Sequence, residues 1–444
     1  METSVDELGA KPHPMKAASA FCAPASPAIL HRSRCGRRPL GVGGAVLLAA
    51  LVIYLAPVMP LASNEAFAQN PTAARATVSE LRRTLPLTDF YDTRKPLSAG
   101  KPGELIRSEP FDDYALPPEV SAVRILYYSR SAKGEDVAAS GVVLIPDGRP
   151  PAGGWPVIAW AHGFSGTARQ CAPSLMRSVY YGPFLSMYVN LGYAVVATDY
   201  AGLGSDFRNA LMDMRSNAMD VIYSIPAARA AVPRLSARWV AMGESLGGLA
   251  AVGVAELEGE IRDADYLGSI AVSGVADVKD VYEHLAKGPS GSQLALLAYA
   301  IKTVYPQFEV GDMLTEKGVP AYQRIQKACS VTNAAPEVSG GGMLKLNWEN
   351  NSFVKDFFSR NAVGLKPAQG PLLVISGEAD SAVPIAMTVE AISRLCKAGD
   401  RVQFYKYEGA GPAGLLGDSV RDQISWIQAR FAGQPVASNC AEKK

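Results

Sequence analysis

The sequence predicts a doubly wound α/β fold on one mostly parallel sheet, with a helical segment inserted late in the chain. Three observations carry this. Short, almost wholly apolar runs recur along the chain, the pattern of strands buried on both faces of a parallel sheet. Helical patterns lie between most of them, which implies right-handed crossovers. One gap of nearly a hundred residues, Val275 to Gln369, breaks that rhythm. At 444 residues the chain exceeds one minimal domain, and a single core plus an insertion uses that length naturally. An apolar fraction of 48% and a charged fraction of 19% are those of an ordinary globular protein. A net charge of +1 gives no reason to expect nucleic acid as a partner, and it argues against a polybasic membrane-binding surface. There is no heptad tract and no fixed-period repeat, which argues against coiled coils and solenoids.

Residues 1–68 read as an export signal with an extended basic region. Arg32, Arg34, Arg37 and Arg38 precede an apolar run from Leu40 to Ala62, and Ala66-Phe67-Ala68 forms an A-x-A cleavage site before Gln69. Met15 is an alternative start, and Arg37-Arg38 is compatible with a twin-arginine route. The competing reading is an uncleaved membrane anchor over residues 40–62, since about 20 apolar residues span a bilayer. Pro57 and Pro60 favour the signal. No cysteine follows the run to support a lipid anchor. Four cysteines remain beyond the leader, Cys171, Cys329, Cys396 and Cys440. An oxidising compartment favours disulfides between them, and the spacing leaves all three pairings open.

Residues 69–117 are polar, irregular and proline-bearing, suited to an arm that wraps the core. Val123 to Ser129 and Val137 to Pro146 are rich in β-branched and aromatic residues and flank the turn-like Lys133-Gly134-Glu135-Asp136, predicting a hairpin at a sheet edge. Buried strands follow at Pro156–Ala161, Tyr193–Asp199, Arg238–Gly243, Gly268–Gly274 and Pro371–Gly377. Val402–Tyr407 alternates as an outer strand would. Helices are expected at Asn217–Ala231 and Met387–Lys397. The core therefore spans 118–274 and 370–436. Residues 275–369, with an apolar helical stretch from Gln293 to Val304, a Ser339–Gly342 hinge and an amphipathic piece from Phe353 to Phe358, form a cap over the sheet.

The sharpest chemical signal is Gly243-Glu244-Ser245-Leu246-Gly247, placed after a buried strand and before a helix of small residues. In that context G-x-S-x-G is a nucleophile elbow. The serine sits on a strained turn, so glycines two residues away permit close packing. Alone the motif is weak, because a glycine-rich chain produces it by chance. A second element is Ala161-His162-Gly163-Phe164-Ser165-Gly166, at the end of an earlier strand. Acyl transfer needs two backbone N–H groups aimed at the oxyanion. Leu246, after the serine, supplies one, and Phe164 supplies the other. His162 reads as a brace for its loop, and the bland alternative for the whole motif is a tight glycine turn. The acid is Asp380, just past the strand that ends at Gly377, in the chain order Ser…Asp…His. Glu378 is its rival, and Asp199 ends a strand too early in the chain for the role.

Together these segments resemble the secretory lipase family within the α/β-hydrolase superfamily. The resemblance rests on "WPVIAWAHGFSGTARQCAPS", "GYAVVATDYAGLGS", "GESLGG", "ISGEADSAVP" and the opening "GKPGELIRSEPF", and it runs roughly from Gly100 to Phe431. It implies an α/β-hydrolase core under a helical cap, serine esterase or lipase activity on a small ester or lipid, transient lipid-interface contact through the cap, and no metal or cofactor. By position it makes Ser245 the nucleophile, Asp380 the acid, and Phe164 and Leu246 the oxyanion donors. It also implies disulfides Cys171–Cys329 and Cys396–Cys440.

One departure is specific. The glycine-rich loop that should present the catalytic histidine reads Tyr407-Glu408-Gly409-Ala410-Gly411-Pro412-Ala413-Gly414, and Pro412 stands at the histidine's place. The chain has four histidines, His13, His31, His162 and His284, and none follows Asp380. Without a base, a serine hydroxyl is a poor nucleophile at neutral pH. Three readings remain: an exported ester hydrolase with an incomplete triad, a pseudoenzyme that binds acyl-type ligands, and a hydrolase in which His284 of the insertion serves as a relocated base.

Overall fold

The computed structural model describes residues 84–93, 97–288, 290–329, 342–412 and 414–440. The expected leader, its anchor alternative, residues 69–83 of the arm and residues 339–341 of the hinge lie outside the described residues. Among the described residues nine strands form one sheet: β1 (Leu105–Pro110), β2 (Val120–Arg130), β3 (Asp136–Pro146), β4 (Trp155–Ala161), β5 (Ala194–Thr198), β6 (Leu235–Glu244), β7 (Tyr266–Val272), β8 (Leu372–Gly377) and β9 (Val402–Tyr407). Their order across the sheet is β1-β2-β3-β5-β4-β6-β7-β8-β9. The β1–β2, β2–β3 and β3–β5 pairs are antiparallel. The remaining pairs are parallel. This is the doubly wound, mostly parallel architecture expected from the alternation of apolar runs and helices, and the α/β-hydrolase fold that the resemblance implies.

The pleat of β4 shows why such runs need to be apolar throughout. Val157, Ala159 and Ala161 point into one core, shared with Ala218, Val221, Leu249 and Val252. Ile158 and Trp160 point into the other, against Leu185, Tyr188, Trp426 and Ile427. Successive side chains face opposite sides, and both sides are covered by helix. The covering helices are α1 (Gly182–Asn190), α2 (Met214–Ala231) and α3 (Leu246–Ile261), with others named below.

One expectation needs correcting. The stretch ending at Pro117 reads as irregular, yet its residues 105–110 form β1 and make the sheet edge. No residue of β1 is fully buried, so there is no apolar pattern to announce it. The ladder to β2 holds it, with a register shift between Leu105 and Arg107. The β2–β3 hairpin consequently lies one strand in from the edge.

Between β7 and β8 the chain forms α4 (Val278–Leu285), α5 (Gly291–Val304), α6 (Val319–Ile325) and α7 (Ser352–Arg360). Leu294, Leu297, Ala298 and Ile301 of α5 join the same buried cluster as α2 and α3. The segment is fastened to the loop that follows β4: Thr167 donates its N–H to the Ala328 carbonyl at 3.2 Å, and Cys171 is disulfide-bonded to Cys329. After β8 come α8 (Ile385–Ala398), then β9, α9 (Leu415–Asp418) and α10 (Val420–Phe431). A second disulfide, Cys396–Cys440, ties α8 to the C-terminal segment. These are the pairings the resemblance implies.

Candidate active site

Ser245 connects β6 to α3 with φ 55° and ψ −120°. A positive φ is costly for a residue with a Cβ, so the surrounding packing has to impose it. That packing is tight. A Cβ on Gly243 would stand 2.0 Å from the Gly247 carbonyl oxygen, and one on Gly247 would stand 1.9 Å from that of Ala161. The two glycines let β6, α3 and the end of β4 close on one another. A serine at a helix N-cap ordinarily accepts from a first-turn N–H. Ser245 makes no such bond. Its hydroxyl is half-buried and uncommitted among the described residues.

The loop after β4 comes to the same place. A Cβ on Gly163 would meet Glu244 Oε2 at 2.6 Å and the Tyr181 hydroxyl at 3.1 Å. Leu246 is the first residue of α3, so its N–H has no partner within the helix. Among the described residues neither that N–H nor the Phe164 N–H finds an acceptor. The Phe164 carbonyl accepts from the Tyr180 hydroxyl at 2.8 Å, which fixes the peptide that follows it.

His162 is buried under this loop. Its Nδ1 lies 2.5 Å from the Gly163 carbonyl and its Nε2 3.3 Å from that of Asp199. Burial pushes its pKa down to about 4, so the ring is neutral and its single N–H donates to only one of the two carbonyls. Tyr200 packs against the ring and donates to the His162 carbonyl at 3.0 Å. These contacts are those of a brace.

The three carboxylates weighed in the sequence occupy distinct environments. Asp380 is buried, and its Oδ1 accepts from the N–H groups of Ala382 and Val383, both at 2.9 Å. Glu378 is exposed. Asp199 is buried and accepts from Ser174 N–H at 2.8 Å and from the Ser140 and Ser174 hydroxyls at 2.6 and 2.5 Å. Burial raises its pKa to about 6, against those hydrogen bonds. It is a knot joining β3, β5 and the loop at Ser174.

Ser245 follows β6 and Asp380 follows β8, with β7 between those strands. At about 4.8 Å per strand, the strands that carry them lie roughly 10 Å apart across the sheet. The loop after β9 reaches the loop after β8. Ala379 donates its N–H to the Ala410 carbonyl at 3.0 Å, and Glu378 donates to that of Tyr407 at 3.0 Å. Pro412 follows two residues later and is exposed.

Glu244 was missed in the sequence because it fills an unspecified position of the elbow motif. Its Oε2 accepts from the Tyr181 hydroxyl at 2.8 Å. Burial pushes its carboxyl above the ordinary glutamate range, the Tyr181 hydrogen bond opposes this, and the charge of Asp380 adds to it. Glu244, next to Ser245 in the chain, is therefore close enough to Asp380 to sense its charge. Sequence spacing gives no signal for that coupling.

The model of the secretory lipase family matches residues 183–439, more than half of the chain, including Ser245, Asp380 and Pro412. The chain belongs to the secretory lipase family. That family places it among lipase/esterase-type hydrolases. Its fold is similar to that of Candida antarctica lipase A in its closed state, with a TM-score of 0.70, 19% identity, and coverage of 80% of this chain and 89% of that one. It is also similar to the rice cell wall degrading esterase LipA from Xanthomonas oryzae, with a TM-score of 0.63, 18% identity, and coverage of 76% of this chain and 100% of that one. At such identities the likeness concerns the fold. Among curated protein sequences none matches.

Proposed function

We propose that this secretory lipase family member is an exported serine carboxyl-ester hydrolase of lipase or esterase type, slowed by the absence of its triad histidine. The observation that carries the proposal is Ser245 at φ 55° between β6 and α3, with its hydroxyl unused as a helix cap. Strain of that kind persists only where the surrounding structure enforces it. In this reading Ser245 attacks the ester carbonyl, and the N–H groups of Phe164 and Leu246 receive the oxyanion. Asp380 is the acid that would orient an imidazole at position 412 and stabilise its charged form. The segment 275–369 acts as the cap, and cleavage after Ala68 with export into an oxidising compartment accounts for the leader and the two disulfides.

The test uses p-nitrophenyl esters of graded chain length. The parent should hydrolyse them slowly. Pro412→His should raise kcat by about 10²–10⁴-fold, the usual contribution of a positioned general base, and Ser245→Ala in that background should remove the gain. A second reading, an acyl-binding pseudoenzyme, is favoured by Pro412 itself. It prevails if Pro412→His brings no gain while ester-like ligands still bind.

A further inference from the structure

The parent chain has a second imidazole at the edge of this site. His284, near the end of α4, places its Nε2 3.1 Å from the carbonyl oxygen of Ser381, the residue after Asp380. The chain reaches that point by way of the nucleophile. Gly274, just past β7, lies so close to Ser245 that a Cβ there would stand 2.1 Å from the serine's carbonyl oxygen. The segment that starts against Ser245 therefore ends, as α4, against the acid loop. This follows from topology, because β7 lies between the strands that carry Ser245 and Asp380.

The chemistry of the contact fixes the tautomer. A backbone carbonyl only accepts, so in neutral His284 the proton resides on Nε2 and Nδ1 carries the free lone pair. Among the described residues nothing occupies Nδ1. The ring is thus held by a backbone oxygen on one nitrogen and is basic on the other, which is how an oriented general base is arranged. His162 offers no such nitrogen, since both of its nitrogens face carbonyls and burial suppresses its protonation.

We infer that His284 is the proton acceptor for the hydrolysis the parent chain performs, acting on Ser245 directly or through one water. This rests on the hydrolase reading above. The Oγ–H proton passes to Nδ1 as the Oγ–C bond forms and the carbonyl electron pair moves onto the oxyanion. Nδ1–H then gives the proton to the leaving alkoxide as the ester C–O bond breaks. A water attacking the acyl-enzyme repeats the transfer, releases the carboxylic acid and restores Ser245.

The experiment compares parent, His284→Ala and His284→Gln on p-nitrophenyl acetate and butyrate, with melting temperature as the control for folding. The Gln amide can still donate to the Ser381 carbonyl but is not a base at neutral pH. Both variants should lose at least about 10²-fold in kcat, and added imidazole should restore part of the loss in His284→Ala. Full activity in His284→Gln with loss only in His284→Ala would make the residue a brace for the acid loop and overturn the proposal. A loss of the parent's activity on Glu244→Gln, with His284→Ala unchanged, would also overturn it by assigning the proton to the elbow carboxylate. The hydrolase reading is judged separately. Pro412→His should retain most of its gain when His284→Ala is added, and that gain stands even if the parent's slow reaction ignores His284.

Discussion

The turn at Ser245 and the proposed base loop lie at the carboxyl ends of their strands, β6 and β9, and both are rich in small residues. They differ in what holds them. At the turn, added methyl groups on Gly243 or Gly247 would collide with backbone at about 2 Å. On the base loop, a Cβ on Gly409 meets nothing within 4 Å, and one on Gly411 meets only the Ala379 oxygen at 3.7 Å. The turn is thus specified by the packing of three elements, and its strained serine comes with the fold. The loop is tied to the acid loop through Ala410, and Gly409 and Gly411 have room around them. A residue placed there for chemistry alone can change with little consequence for folding, and Pro412 stands at such a place.

Substitutions at the two places should therefore have opposite profiles. Pro412→His should change kcat by orders of magnitude while costing under about 1 kcal/mol of stability, the range for removing a proline from a compatible position. A denaturant midpoint well below the parent's would show that the base loop is constrained after all. Gly247→Ala should do the reverse, destabilising by about 3 kcal/mol or more because the obstruction is backbone rather than a flexible side chain. Gly411→Ala should stay within about 0.5 kcal/mol. Equal melting temperatures for these two variants would remove the basis of the comparison.

The disulfide between the β4 loop and the insertion should matter on a scale similar to Gly247. Replacing both Cys171 and Cys329 by Ala should cost about 2–5 kcal/mol, since the bridge spans a sequence separation of 158 residues. Thermal unfolding of the double variant checks this, and an unchanged midpoint would mean that the insertion is held by its apolar contacts alone. The smallest effect expected is at Glu244. Its folded pKa is raised, so the folded state binds the proton more tightly than the unfolded chain does. Its contribution is complete below the ordinary glutamate value of 4.5 and is lost as pH rises through the raised value. Glu244→Gln should therefore flatten part of the decline in Tm above pH 4.5. A steeper decline in the variant would reverse the sign argued here.

Much of this was legible in the chain itself, for identifiable reasons. The central strands announce themselves because a parallel sheet covered on both faces admits few polar residues, as the two-sided burial of Val157 to Ala161 shows. The elbow is legible because its packing demands glycines at fixed offsets. The absence of any histidine after Asp380 is legible because it is a matter of residue identity. Edge strand β1 was not, since it is held by backbone hydrogen bonds and buries no apolar stripe.

Sequence by itself determined the α/β-hydrolase class, the order of Ser245 and Asp380 along the chain, and the absence of any histidine after that acid. Only the tertiary structure decided which carboxylates are buried, that Glu244 senses Asp380, that His162 is locked between two carbonyls, and that His284 meets the acid loop 97 residues further along the chain. Local spacing records what a turn or strand demands of its own residues. Contacts between distant segments depend on strand order and on the path of the insertion, and no short motif encodes either.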